Sequence, residues 1–91
     1  QIEPFPKLEH ERKMRKAFYA ENMLLNMDDA IGKTAAEFII PYPPGIPLVC
    51  PGEIIVKETV DYVKTMLDHG INVNGVVDNN FVRVVKWKED L

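Results

Sequence analysis

The chain has 91 residues, 46% of them hydrophobic and 27% charged, a composition that fits one globular domain and excludes a disordered or low-complexity chain. Eleven basic residues against 14 acidic ones leave a net charge of −3, so bulk electrostatics does not direct the chain to nucleic acid or to an anionic membrane. Cys50 is the single cysteine and serine is absent, which excludes an internal disulfide framework and any serine nucleophile.

Further expectations follow from the same inventory. A lone cysteine fits a reducing cytoplasm. No apolar run approaches the ~18 residues of a membrane span. The chain opens on Gln1 instead of a methionine, which points to a piece of a longer protein.

Residues 1–8 contain Pro4 and Pro6 and are expected to be extended, because proline drives its predecessor out of the helical region. Residues 9–20 are charge-rich and fit a short helix. Its basic members Arg12, Lys13, Arg15 and Lys16 stand among Glu9, Glu11 and Glu21, the pattern of a solvated face and not of a nucleic-acid footprint. Residues 26–31 read as one helical turn: Asn26 is a cap, Asp28 and Asp29 complement the helix N-terminus, and Gly32 ends it in the left-handed region. The apolar run 35–40 reads as a strand that Pro41 stops.

The main amphipathic helix is expected over residues 56–69. Val56, Val60, Val63 and Leu67 form one stripe, with Lys57, Asp61, Lys64 and Asp68 alternating in sign on the other face. His69 and Gly70 make its C-terminal stop. Residues 73–77 and 81–87 are β-branched and aromatic and read as two strands, joined into a hairpin by Asp78, Asn79 and Asn80. The sum is a small single α+β domain with short strands, one main helix and a C-terminal hairpin.

Five of the seven prolines fall between Pro41 and Pro51. The string Pro41-Tyr42-Pro43-Pro44-Gly45-Ile46-Pro47, then Pro51-Gly52-Glu53, cannot be helical. Pro44-Gly45 and Pro51-Gly52 each suit the centre of a type II turn. Residues 46–50 between them are apolar, so the segment reads as a stiff, partly buried crossing that could present Tyr42 and Glu53 to a neighbouring surface. Glu53 also stands where it could satisfy free amides at the helix start. The P-x-x-P spacings lack any basic residue from Phe38 to Val56, which argues against a polyproline ligand.

This string, with Ala35-Ala36-Glu37 before it, resembles the C-terminal domain of the bacterial Orn/Lys/Arg decarboxylases. Arg15-Lys16-Ala17-Phe18 and Ala30-Ile31-Gly32-Lys33 fit the same frame. The resemblance divides the chain into an extended or helical lead-in, residues 1–14, from a large domain, and the C-terminal domain proper, residues 15–91. It implies a homo-oligomeric parent enzyme that uses pyridoxal phosphate to remove the α-carboxylate of lysine, arginine or ornithine, with active sites at dimer interfaces. The family's cofactor lysine follows a histidine in a Ser-x-His-Lys motif of the large domain. Here neither His10 nor His69 is followed by lysine, so the resemblance places no catalytic or cofactor-binding residue in this chain. It makes Tyr42, Pro43, Pro44, Gly45, Pro47, Pro51, Gly52 and Glu53 the family motif and a candidate wall of the active-site entrance. The alternative is a non-catalytic interaction domain that reuses the module.

Other chemistry finds little footing. Cys50 lies between Val49 and Pro51 and reads as a small apolar residue. The histidines, 10 and 69, are far apart, and no metal-ligand spacing exists. Met14, Met23, Met27 and Met66 read as core or interface fillers and Trp87 as a candidate docking anchor.

Overall fold

Eight short elements make up the computed structural model, which describes residues 5–87. They are helix α1 (Phe5–Tyr19), strand β1 (Asn22–Asn26), helix α2 (Met27–Ala30), strand β2 (Ile40–Tyr42), helix α3 (Lys57–Asp68), and strands β3 (Asn72–Asn74), β4 (Val76–Val77) and β5 (Phe81–Val85). β5 is the middle strand of a three-stranded antiparallel sheet, with β1 on one side and β4 on the other; β2 and β3 form a separate antiparallel pair. The expected α+β class holds.

Alternation along β5 feeds both faces of its sheet. Val82 and Val84 enter the main core with Met27, Ala30, Ile39, Val49, Ile55, Val60, Val63 and Met66. Val85 joins a smaller cluster with Ala17 and Ala36. In α3 the buried stripe is Val60, Val63 and Met66. Val56, expected on that stripe, is the residue before the helix and is 45% exposed. Lys57 pairs with Asp61 at 2.7 Å as the spacing requires, whereas Lys64 reaches across to Asp28 on α2 at 2.6 Å. Asn26 caps α2 as expected, its Oδ1 accepting from the Asp29 amide at 2.9 Å.

Several expectations are corrected. α1 begins at Phe5, inside the segment read as extended, because a proline in the first helical turn forfeits only an amide that has no partner there; residues 1–4 of that reading lie outside the described residues. β1 was not anticipated: its Asn22-Met23-Leu24-Leu25-Asn26 string has no strong local strand signal and is fixed by pairing with the distant β5.

The run 35–40 is not one strand. Ala35 bridges to Val84, Thr34 to Ile54 and Ile39 to Val49, each an isolated contact. Pro47 and Pro51, in the facing segment, have no amide to donate, so no continuous ladder can form there. Pro41, in turn, does not stop a strand but sits within β2, opposite Val73.

The expected strand 73–77 is split at Gly75, which has φ +95°. A Cβ built there would stand 2.1 Å from the Phe38 carbonyl oxygen. The hairpin beyond it forms as expected: Asp78 and Asn79 take φ of 53° and 57°, and the Asn80 amide donates to the Val77 carbonyl at 3.1 Å.

Gly75→Ala therefore meets both a backbone clash and an unfavourable φ, and is expected to destabilise the fold by about 2–4 kcal/mol. Gly70→Ala has a similar φ of +78° but nothing within 4 Å, and should cost only about 1 kcal/mol. Urea unfolding of the two variants checks the difference.

Candidate functional site

Tyr42, Pro43, Pro44, Gly45, Pro47, Pro51, Gly52 and Glu53 form one ledge that leaves β2, crosses the core and ends just before α3. Its turns differ from each other. Pro51-Gly52 is the type II turn expected: Gly52 has φ +95°, and the Glu53 amide donates to the Cys50 carbonyl at 3.1 Å. Gly45 has the expected positive φ of +90°, but the closing bond runs from its amide to the Pro41 carbonyl at 2.7 Å, a wider turn than type II. Pro43 and Pro44 carry no amide hydrogen, so Gly45 is the first donor available after Tyr42. The Tyr42–Pro43 and Pro43–Pro44 peptide bonds are cis.

Each glycine admits a close neighbour. A Cβ at Gly45 would stand 3.0 Å from Cε1 of Tyr42, so the ring lies over its own turn. A Cβ at Gly52 would stand 3.0 Å from the Lys13 carbonyl oxygen, so α1 crosses directly on the second turn. Between the turns, the Leu48 amide donates to Ile39 at 2.8 Å and the Ile39 amide to Val49 at 3.0 Å. Val49 and Pro51 are buried and Leu48 packs on the core, while Tyr42 and Ile46 remain 47% and 64% exposed.

Glu53 does not serve the helix start. Gly52 reverses the chain, and the Glu53 Oε1 accepts from the Cys50 amide at 2.7 Å. The residue at the start of α3 is Val56, which makes no side-chain cap bond. The Cys50 thiol is pushed above its usual pKa by partial burial first and by the Glu53 charge second. That direction opposes a nucleophile, which needs thiolate. Among the described residues, no group of three or more His, Cys, Asp or Glu is placed to hold a metal.

The sequence reading missed a second surface feature. Phe18, Tyr19 and Phe38 gather beside α1, Phe18 and Tyr19 edge to face at 5.2 Å and Phe18 and Phe38 at 6.4 Å. The one signal was two adjacent aromatics closing a charge-rich helix. Trp87 packs on Ala17 and Val85, with the Lys16 ammonium 5.8 Å from its ring centre.

With this geometry in view, comparison with known proteins is decisive. The family model for the C-terminal domain of Orn/Lys/Arg decarboxylases matches residues 2–78. The chain belongs to this family. An arginine decarboxylase of Halalkalibacterium halodurans is 44% identical over 77 residues, covering 82% of this chain and 16% of the relative. One from Bacillus subtilis is 43% identical, covering 79% and 15%. A lysine decarboxylase of Hafnia alvei is 32% identical, covering 70% and 11%. Among solved structures, the constitutive lysine decarboxylase of Escherichia coli superposes with a TM-score of 0.59 at 28% identity, covering 82% of this chain and 12% of that one. The chain thus spans about one-sixth of the length of the arginine decarboxylases it matches.

At pH 8 Cys50 should alkylate with iodoacetamide more slowly than a free thiol of ordinary pKa, because less of it is thiolate. Glu53→Gln removes one of the two causes while keeping an oxygen acceptor for the Cys50 amide, and should raise the rate. A rate equal to that of free cysteine in the parent chain contradicts the assignment.

Proposed function

We propose that this chain is the C-terminal domain of a cytoplasmic, homo-oligomeric, pyridoxal-phosphate-dependent decarboxylase of lysine, arginine or ornithine. In this reading the domain packs on the enzyme's large cofactor domain, and its proline ledge helps wall the active-site entrance. The observation that carries the reading is the family match over residues 2–78, supported by relatives named arginine decarboxylase at 43–44% identity.

Pyridoxal phosphate needs a desolvated lysine amine and donors around its phosphate. The described residues do not fit it. No charged side chain among them is buried. Lys57 and Lys64 are bound to Asp61 and Asp28 at the surface. The Lys57 pKa is raised, first by its hydrogen bond to Asp61 and then by that carboxylate's charge, away from the neutral amine that attack on a carbonyl requires. The reading therefore assigns the cofactor to the large domain and catalysis to residues outside this chain.

What the chain contributes is shape. Exposed Tyr42 and Ile46 stand on a backbone held by turns at Gly45 and Gly52, a stiff apolar rim suited to excluding water from an entrance. The test is carbon dioxide release from L-lysine, L-arginine and L-ornithine by the full-length protein with pyridoxal phosphate. Release from at least one is expected, and none from the 91-residue chain alone; inactivity of the full-length protein on all three overturns the reading. In the active enzyme, Tyr42→Ala with Ile46→Ala should raise KM severalfold and leave kcat nearly unchanged. Unchanged KM contradicts the role given to the ledge.

A further inference from the structure

Helix α1 is held on the domain by little. Among its described side chains only Ala17 is fully buried, against Ala36, Val85 and Trp87. Among the described residues its other attachments include Phe18 beside Phe38, Lys16 over the Trp87 ring and the Lys13 backbone on Gly52. A helix of this size takes most of its stability from packing an apolar face, and one alanine is a thin face. Another stripe of α1 carries Glu11, Met14, Arg15 and Phe18, which with Tyr19 and Phe38 line an open groove of about 360 Å³. Phe18 and Tyr19 are 44% and 79% exposed there. A cluster of exposed aromatic rings on one element marks a contact surface and not a solvated one.

We infer that this aromatic groove on α1 is the seat of the parent chain's large domain, which clamps α1 against the present domain. The inference rests on the reading proposed above and names the surface through which that packing occurs. Two observations select this occupant. The matched region is about 15–16% of the arginine decarboxylases and carries the family description of a C-terminal domain, so in such proteins most of the polypeptide comes before it. That polypeptide enters through α1, the first element described, and the groove runs along this helix. Its make-up fits a protein surface: an apolar centre of Met14, Phe18, Tyr19 and Phe38, with Glu11 and Arg15 of opposite sign beside it.

The test places a photoreactive benzoylphenylalanine in the full-length protein, in turn at Tyr19, at Ile46 on the ledge and at Tyr62 on α3, which is 56% exposed. The expected result is a cross-link from position 19 to a peptide of the large domain in a product of single-chain mass, and none from position 62. A second readout guards against loss of fold: Phe18→Ser in the full-length protein should speed proteolysis within residues 8–19 severalfold, and Tyr62→Ser should not. A cross-link from position 19 to a second copy of this domain overturns the inference. So does a cross-link to the large domain from position 46 with none from position 19; the packing proposed above then survives, through the ledge. If none of the three positions reaches the large domain, the inference and the packing both fail.

Discussion

The contact on which the rest of the domain depends is the approach of the Phe38 carbonyl to Gly75, where a Cβ would stand only 2.1 Å from the oxygen. It lets the loop before β2 press against the chain between β3 and β4. Gly75, at φ +95°, turns a β-branched run that would make one strand into two, and each goes to a different sheet. β4 completes the three-stranded sheet around β5, while β3 takes Ile40, Pro41 and Tyr42 as its partners. The ledge departs from Tyr42, so its direction relative to the core is set at a glycine that the motif does not include.

From that origin the ledge is fixed by bonds that its prolines leave few ways to make. Five prolines remove five amide donors between residues 41 and 51. Of the donors that remain, Gly45 bonds to Pro41, Leu48 to Ile39 and Cys50 to the Glu53 carboxylate, and just beyond Pro51 the Gly52 amide bonds to Ala35. The glycines do more than permit turns. Gly45 makes room for the Tyr42 ring and Gly52 for the backbone of α1, so the motif seats a helix on one turn and an aromatic ring on the other. Four residues of the family string, Gly45, Pro51, Gly52 and Glu53, thereby have a structural reason to be what they are. Ile46, 64% exposed, has none within the domain, and the outer edge of the Tyr42 ring beside it is also open, which is why the proposed entrance rim falls to them.

What the sequence disclosed is what short-range chemistry decides. The Asn26 cap, the α3 stripe at Val60 and Val63, the hairpin turn at Asp78 and Asn79, and the turn at Pro51-Gly52 each depend on residues within a few positions of one another. What it hid depends on distant partners. β1 exists because β5 pairs with it along its whole length. The break at Gly75 needs Phe38, and the seat at Gly52 needs Lys13. Glu53 shows the limit within the motif itself: its type and place suit a helix start, yet the left-handed Gly52 aims it back at Cys50. The resemblance carried by the proline string identified the family, while the aromatic groove on α1 carried no such signal because its members come from two separate stretches.

The central claim is that the proline segment belongs to the cooperative fold and is not a loose connection between β2 and α3. Residue-resolved amide hydrogen exchange tests it directly. If the claim holds, the Leu48 and Gly52 amides, bonded to Ile39 and Ala35 at 2.8 and 2.9 Å, exchange with the same opening free energy as the amides of Val82 and Val84 in β5. Exchange of Leu48 and Gly52 at the rate of an unstructured peptide, with β5 still protected, would contradict it.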